Sequence, residues 1–338
     1  MARTSFAQRL VAWQRRHGRR DLPWQGTRDP YRVWLSEVML QQTQVSAVIP
    51  YYLRFLERFP TVEALASSEE DEVLRFWSGL GYYARGRNLH AAARAIVSGG
   101  FPRTAQKIAE LPGVGRSTAA AIAAFAFGER AAILDGNVKR VLSRYFGVEG
   151  WPVEDRLWDR AARLLPKKKD IESYTQALMD LGATICVRRN PRCDACPVKG
   201  PCVARRTART EEIPAPRPRK PLPQKEVTWL ILRREGEILL EKRPAPGIWG
   251  GLWSFPEAPA KEVAGFCRSN LGCEIDNERK LESLEHGFTH FRLHIQPLLC
   301  NVSKTTRSAP APGRLWIDIA DAAGAAVPAP VKKLLARL

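Results

Sequence analysis

Hydrophobic and polar residues follow two different periodicities along the chain. Residues 1–204 contain alanine-rich amphipathic runs, including Asn88–Val97 and Ser117–Phe127, which alternate with short breaks rich in glycine and proline. Apolar residues at helical spacing between such breaks predict a mostly helical N-terminal domain.

Residues 226–338 instead have the period of two that is typical of β-strands. The predicted elements are the strands Glu226–Arg234, Glu237–Arg243 and Phe288–Val302 and the helix Val331–Leu338. Glu235-Gly236 separates the first two strands and suits a hairpin turn, and Pro330 is placed to begin the helix. We expect a smaller α+β domain here.

The run between these domains, residues 205–225, has five prolines and many arginines and offers little to bury. It is typical of an extended basic linker that proline stiffens. The sequence thus predicts a helical domain over 1–204, a linker over 205–225 and an α+β domain over 226–338.

The net charge of the chain indicates what kind of partner it binds. The 338 residues have a formal net charge of +18, and 45% of them are hydrophobic, so the chain is globular and strongly basic. Basic surfaces attract polyanions because contacts with phosphates release condensed counterions. The alternative is a basic surface with no specific partner. No secretory signal and no apolar run of about 18 residues is found, so we expect a cytoplasmic protein.

Four of the seven cysteines are close together in a C-x6-C-x2-C-x5-C spacing, at Cys186, Cys193, Cys196 and Cys202. In the reducing cytosol such a set indicates a metal centre rather than disulfides. Both an iron–sulfur cluster and a structural zinc suit four thiolates. A single close pair with two wider gaps is less typical of zinc.

A helix–hairpin–helix pattern spans residues 104–127. A short helix over Thr104–Glu110 precedes Leu111-Pro112-Gly113-Val114-Gly115, and a second helix follows from Arg116. The glycines let backbone N–H groups approach a phosphate, and the second helix offers the same anion its positive N-terminus. The alternative is a tight turn without a ligand.

Two carboxylates are candidates for chemistry. Glu37 follows the helix start at Asp29-Pro30, with Val33 and Trp34 on its own side of the helix, and an apolar environment would raise its pKa. Asp135 follows an apolar run and precedes a helix, where a carboxylate is also an ordinary N-cap. One protonated and one ionised carboxyl group is the arrangement expected for cleaving a glycosidic bond. A solvent-facing glutamate and a simple cap are the alternatives.

Several longer motifs together resemble the MutY adenine DNA glycosylases of the helix–hairpin–helix glycosylase superfamily. They are LPWQ at 22–25, WLSEVMLQQTQV at 34–45, GLGYYARGRNL at 79–89, LPGVGRSTA at 111–119, ILDGNVKR at 133–140 and the four-cysteine loop at 186–202. They occur in the family's order across nearly the whole chain.

The resemblance implies removal of adenine mispaired with 8-oxoguanine or guanine in double-stranded DNA. It assigns catalysis to Glu37, Asp135 and Asn137 and the adenine pocket to Trp24 and Gln176. DNA contacts are implied for Gln42, Tyr82, Leu111, Gly113, Val114, Gly115, Arg116, Ser117 and Lys139. The cysteines are expected to hold a [4Fe–4S] cluster, and the protein is expected to be a nucleoid-associated monomer.

Ser117 distinguishes this chain from the bifunctional relatives that resemble endonuclease III. Those relatives have a lysine at this position, which forms a Schiff base, whereas a hydroxyl group cannot form an imine. The expected product is therefore an abasic site. Two alternatives remain: a bifunctional pyrimidine glycosylase and lyase, and a non-catalytic DNA-binding protein with a structural zinc.

The C-terminal domain resembles the Nudix-like domain of the same family. Gly250–Pro256 and Glu257 match the start of a Nudix box, but Gly265–Asn270 lacks the acidic residues that would bind magnesium. We expect a lesion reader rather than a nucleotide hydrolase. The family's Phe-Ser-His loop corresponds to Phe288, Thr289 and His290. Without the resemblance, Phe288 and His290 would be read as alternate residues on one face of a strand.

Overall fold

The computed structural model describes residues 5–150, 152–216, 221–245, 247–259, 261–305 and 311–338. Part of the predicted linker, 217–220, lies outside these ranges. Contacts group the chain into two units: 1–67 with 88–219, and 68–87 with 220–338. The inclusion of 68–87 in the second unit has no counterpart in the sequence pattern.

Helices account for the regular structure before residue 207. They are α1 (Phe6–His17), α2 (Pro30–Leu40), α3 (Val45–Arg58), α4 (Val62–Ser67), α5 (Glu70–Trp77), α6 (Ala84–Gly99), α7 (Ala105–Ile108), α8 (Arg116–Phe127), α9 (Gly136–Phe146), α10 (Glu154–Arg163), α11 (Ile171–Asp180) and α12 (Val203–Arg206). The predicted helical character of this region is confirmed. No helix in the described ranges is long and apolar enough to cross a membrane.

Helix starts follow from local chemistry. Asp29 caps α2 by accepting the N–H of Tyr31 at 2.9 Å, and Pro30 occupies the first turn, where a missing N–H costs nothing. Thr104 caps α7 in the same way, accepting the N–H of Lys107 at 3.3 Å. These starts agree with the sequence-based expectation.

The core of the first unit depends on small side chains in α8. Ala119–Ala124 are all at most 2% exposed, so this helix is covered on every side along that stretch. Alanine lets neighbouring helix backbones approach closely, and α2, α7 and α11 pack against α8. Its N-terminal end remains accessible and carries Ser117, a residue of the site described below.

The second unit contains an eight-stranded sheet within the described residues. Its strands are β1 (Gln224–Arg234), β2 (Glu237–Lys242), β3 (Trp253–Ser254), β4 (Glu257–Ala258), β5 (Cys273–Lys280), β6 (Leu284–Gly287), β7 (Arg292–Thr305) and β8 (Arg314–Asp318). The sheet order is β3-β2-β1-β7-β5, β1 and β7 are parallel, and β4, β6 and β8 pair with β1, β7 and β2.

The β1–β2 hairpin was predicted and is confirmed, with positive φ at both Glu235 and Gly236. Residues Phe288–Val302, however, do not form one strand. Residues 288–291 make a turn between β6 and β7, in which the N–H of Phe288 donates to the carbonyl of Phe291 at 2.9 Å. Phe288 continues the alternation of β6 and Phe291 begins that of β7, so the turn is marked in the sequence by the step of three residues between these two phenylalanines.

Both faces of the sheet are buried. Trp229 and Ile231 point to a core shared with α15 (Ala329–Leu335), while Leu230 and Leu232 point to a second core on the opposite face. The short helices α13 (Val263–Phe266) and α14 (Ile319–Ala322) complete the unit. The remaining three cysteines, Cys267, Cys273 and Cys300, are buried together in the second core.

The beginning of the predicted linker is packed rather than extended. Ile213 is 2% exposed, and its carbonyl accepts from the guanidinium of Arg144 at 2.9 Å. Arg209 forms ion pairs with Glu149 and Glu212. The expectation that this run offers little to bury therefore does not hold for its first part.

Candidate active site and cysteine centre

A cleft of about 930 Å³ opens in the first unit where α2, α8, α9 and α11 meet the chain segment before α2. That volume is in the range of pockets that enclose a small ligand. Seven residues expected from the sequence line it: Trp24, Glu37, Gln42, Ser117, Asp135, Asn137 and Gln176. Folding thus brings together residues from four separate parts of the chain.

Glu37 lies on the side of α2 that faces the cleft, with Val33 beside it. Burial, and then the negative charge of Asp135, raise the pKa of the Glu37 carboxyl group from 4.5 to about 8. Desolvation disfavours the ionised form of a carboxyl group, and a nearby like charge adds to the effect. At neutral pH Glu37 is therefore protonated and able to donate a proton into the cleft.

Asp135 caps α9, and its Oδ1 accepts the N–H of Val138 at 2.7 Å. Burial raises the pKa of Asp135, whereas the backbone N–H groups of Val138 and Asn137 and two cations on α9 lower it. The charge of Asp135 is itself a cause of the raised pKa of Glu37, so Asp135 is the group that ionises first. The two carboxyl groups are therefore in unlike environments: burial favours the protonated form of Glu37, whereas N–H groups and cations favour the ionised form of Asp135.

Asn137 is held by Arg140, whose guanidinium donates to its Oδ1 at 2.9 Å. The same guanidinium donates to the carbonyls of Gly182, at 2.6 Å, and Cys186, at 2.7 Å. A Cβ on Gly182 would lie 2.6 Å from the Cβ of Asn137, so only glycine permits this approach. The start of α9 is thereby tied to the first cysteine.

Ser117 has a structural contact of its own in the cleft. Its Oγ accepts the N–H of Leu134 at 2.8 Å, and Leu134 directly precedes Asp135. The hydroxyl therefore helps to fix the chain that carries the anionic residue. No amine is present at this position to attack a sugar carbon.

The two glycines of the hairpin between α7 and α8 have different surroundings. Gly113 has a φ of +75°, and a Cβ there would lie 2.7 Å from Cβ of Asn88. Gly115 caps α8 without a side-chain hydrogen bond, and a Cβ there would meet nothing within 4 Å. Gly113, Gly115 and Arg116 are exposed, and the first N–H groups of a helix have no partner within it, so the start of α8 suits an anion.

Other residues expected at the DNA contact have partners within the chain. The guanidinium of Arg116 lies 3.9 Å above the ring of Trp158, and Nζ of Lys139 is 2.6 Å from a carboxylate oxygen of Glu154. Val114 is buried and Leu111 is half-buried at the hairpin. Both cations remain partly accessible at the surface.

Gln42 and Tyr82 have uncommon backbone conformations, with φ of 58° and 49°. Positive φ in a residue other than glycine is strained and is frequent at functional sites. Both side chains are exposed, and that of Tyr82 is 45% accessible although it is a large aromatic. Gln42 belongs to the first unit and Tyr82 to the second.

The four cysteines of the 186–202 loop line one cavity of about 30 Å³ beneath α9. No carboxylate or imidazole lines this cavity within the described residues, and a set of four sulfur donors fits an iron–sulfur cluster or zinc. In the same residues no group of three or more His, Cys, Asp or Glu side chains is arranged so that it could hold a metal ion.

Arg144 is only 3% exposed and holds the cysteine loop in place through hydrogen bonds. Its guanidinium donates to the carbonyls of Val187 at 2.6 Å, Arg188 at 2.9 Å and Ile213 at 2.9 Å. It also lies 3.4 Å from Sγ of Cys186. The role of Arg144 and Arg140 was missed from the sequence, because their bonds go to carbonyls more than 40 residues away.

The turn at residues 288–290 combines one anchored and two exposed side chains. The ring of Phe288 packs on Phe291, with centroids 4.4 Å apart, and on Trp249 at 5.3 Å. Thr289 and His290 are exposed, and Oγ1 of Thr289 lies 3.4 Å from Nδ1 of His290. The Nudix-box acid Glu257 forms an ion pair with Arg243.

Two comparisons define the class of protein. Residues 35–167 match the HhH-GPD superfamily of base excision DNA repair proteins, and residues 227–337 match the NUDIX domain. A solved thermostable thymine-DNA glycosylase has a TM-score of 0.54 and 32% sequence identity over 60% of this chain and 95% of its own. The fold is that of a helix–hairpin–helix DNA glycosylase joined to a Nudix-like domain.

Relatives that match along nearly the whole chain identify the family within this class. The adenine DNA glycosylase of Buchnera aphidicola subsp. Acyrthosiphon pisum is 36% identical over 99% of this chain and 98% of its own. The human adenine DNA glycosylase is 33% identical over 98% of this chain and 73% of its own. The chain belongs to the adenine DNA glycosylase family, so it is a DNA-binding enzyme of base excision repair that hydrolyses N-glycosidic bonds.

Proposed function

We propose that this protein removes adenine mispaired with 8-oxoguanine, or with guanine, from double-stranded DNA and leaves an abasic site. The observation that carries the proposal is the pair of carboxyl groups in one cleft: Glu37 has a raised pKa, and N–H groups and cations of α9 favour the ionised form of Asp135. Such a pair suits cleavage through an oxocarbenium-like state.

In this mechanism adenine first leaves the duplex, which costs roughly a few kcal/mol of stacking and pairing. The exposed side chains of Gln42 and Tyr82 occupy the space left in the stack. Glu37 then donates its proton to the departing base, while Asp135 stabilises the cationic sugar by its charge or by forming a bond. Asn137, fixed by Arg140, is the hydrogen-bonding neighbour of Asp135.

Water completes hydrolysis, and Ser117 leaves the strand intact because a hydroxyl cannot form an imine. The hairpin Leu111–Gly115 and the start of α8 hold a backbone phosphate, which positions the duplex without reading its sequence. A duplex with one mispair offers one target base to one cleft. We therefore propose that the protein acts as a monomer, at the nucleoid in the cytoplasm.

The cysteine loop is proposed to hold a [4Fe–4S] cluster through Cys186, Cys193, Cys196 and Cys202. The four cysteines line one cavity, and four sulfur donors suit such a cluster. Their spacing has a single close pair and two wider gaps, which is less typical of zinc. Bound there, the cluster supplies a rigid, charged centre for a basic loop.

The decisive test is base release by purified, brown, cluster-loaded protein. A duplex with adenine opposite 8-oxoguanine should lose adenine, and the product strand should break only after treatment with alkali. Borohydride should trap no covalent complex. Cleavage without alkali would favour a lyase, and no base release would contradict the proposal.

A second prediction concerns the opposite base, which the turn at 288–290 is proposed to read. Replacing Thr289 with valine removes an exposed hydroxyl and keeps the shape of the side chain. We expect the preference for adenine opposite 8-oxoguanine over adenine opposite guanine to fall about threefold to tenfold, the effect of one hydrogen bond. The control is Thr305→Val at the far end of β7, and equal preferences in both variants would contradict this role.

A further inference from the structure

Gln176 lines the cleft from α11, and its amide is held by a residue one helical turn further along. Nε2 of Gln176 donates to Oδ1 of Asp180 at 3.0 Å. Asp180 is only 1% exposed and is not among the residues that line the cleft. The contact between the two side chains is therefore internal to the protein and exists before any ligand binds.

Asp180 is itself fixed from the other side by Arg19. The backbone N–H of Arg19 donates to Oδ2 at 3.1 Å, and its Nε donates to Oδ1 at 2.7 Å. Both carboxylate oxygens thus act as acceptors, and Asp180 has nothing to donate. The segment before α2 and the end of α11 are joined at this point.

An amide beside such a carboxylate has one favourable orientation. If the Gln176 amide rotated by 180°, its carbonyl oxygen would face an acceptor, which leaves two buried lone pairs in contact. Nε2 therefore stays on Asp180, and Oε1 stays on the opposite side of the amide. The side of the Gln176 amide that faces away from Asp180 therefore carries the carbonyl oxygen, a hydrogen-bond acceptor.

We infer that Asp180, fixed by Arg19, is a positioning residue that keeps the Gln176 carbonyl available to the cleft and thereby selects purines with an amino group at C6. Adenine has an amino donor at C6, whereas hypoxanthine and guanine have a carbonyl acceptor there. Two acceptors facing each other exclude the oxo bases more strongly than a missing contact would. The inference rests on the proposed excision of adenine.

The test is the Asp180→Asn variant, because asparagine keeps the volume but can present either a donor or an acceptor. The Gln176 amide is then free to rotate and to donate to an oxo base. The matched control is Asp170→Asn, since Asp170 pairs with Arg15 at 2.9 Å just before α11 and does not contact Gln176. Two duplexes compete in one reaction, one with adenine and one with hypoxanthine, each opposite 8-oxoguanine.

The measured quantity is the ratio of release rates for the two bases, which does not depend on how much of the protein is active. We expect wild type and Asp170→Asn to share one ratio and Asp180→Asn to lower it about tenfold, the effect of one buried hydrogen bond. The pH profile of adenine release should not change. If Asp180→Asn does not fold, Arg19→Lys, which loses the Nε donor, should lower the ratio in the same direction.

An equal loss of rate on both bases, with the ratio unchanged, would show that Asp180 only supports the fold and would overturn the inference. Release of adenine by wild type in the same experiment shows that the proposed function stands independently. If wild type releases no adenine, both the proposed function and the inference fail.

Discussion

Replacing Glu37 with glutamine should slow adenine release about a thousandfold, within the range measured for loss of a general acid. Glutamine keeps the size and a hydrogen bond but has no acidic proton to give to the departing base. The matched control is Glu172→Gln, which lines the same cleft and pairs with Arg28 at the surface. Single-turnover base release should drop in the first variant and change little in the second.

DNA binding by Glu37→Gln should remain close to wild type, since the change lies at the bottom of the cleft. A variant that releases adenine at the wild-type rate would remove Glu37 from the mechanism. A variant that loses binding and release together would indicate a structural role instead.

The same substitution should change how stability depends on pH. The pKa of Glu37 is about 8 in the folded protein, above its ordinary value of 4.5. The stability that the protonated Glu37 carboxyl group contributes is therefore fully present below pH 4.5 and is lost as the pH rises towards about 8. Between about pH 5 and about pH 8, wild type should lose on the order of 3 kcal/mol relative to Glu37→Gln.

Urea denaturation at several pH values measures this difference directly. The activity of wild type should fall over the upper part of the same range, because the protonated carboxyl group is the form that acts as an acid. Parallel stability curves for the two proteins would mean that Glu37 is solvated and that its pKa is ordinary.

Replacing Arg144 with methionine should destabilise the first unit by about 4 kcal/mol and release the cysteine loop. Methionine fills much of the volume, but the carbonyls of Val187, Arg188 and Ile213 lose their donor. Each buried polar group left without a partner costs about 1–3 kcal/mol. The free energy of unfolding and the visible absorbance of the cluster should both decrease.

One further variant separates charge from geometry at Arg144, and a second variant elsewhere is the control. Arg144→Lys keeps the cation but not the fork of donors, so it should recover only part of the stability. Arg163→Met changes an exposed arginine near the end of α10 and should have little effect on either readout. Full cluster content and unchanged stability in Arg144→Met would contradict the role assigned to Arg144.

The structural elements differ in how well the sequence predicts them. Helix caps at Asp29 and Asp135, the hairpin at Glu235-Gly236 and the helix–hairpin–helix pattern were all predicted, because each depends on residues within one or two turns of chain. The turn at 288–291 was missed, because apolar residues alternate on both sides of it and only the three-residue step from Phe288 to Phe291 breaks the period of two.

Local sequence also identified the residue types of the cleft and of the cysteine loop. Glutamate on an apolar helix face, aspartate at a helix start and four closely spaced cysteines each have chemistry that can be stated before folding. The family's motifs then gave these residues expected roles. What the chain could not reveal locally is that Glu37 and Asp135, about 100 residues apart in the numbering, share one cleft.

Only the tertiary structure decided the protonation and orientation of these groups. The raised pKa of Glu37 depends on burial by other segments and on the charge of Asp135. Arg140 and Arg144 find their carbonyls on distant loops, and the orientation of Gln176 follows from the Asp180–Arg19 contact. Desolvation and hydrogen-bond direction are properties of packed neighbours, so they are determined only when the chain is folded.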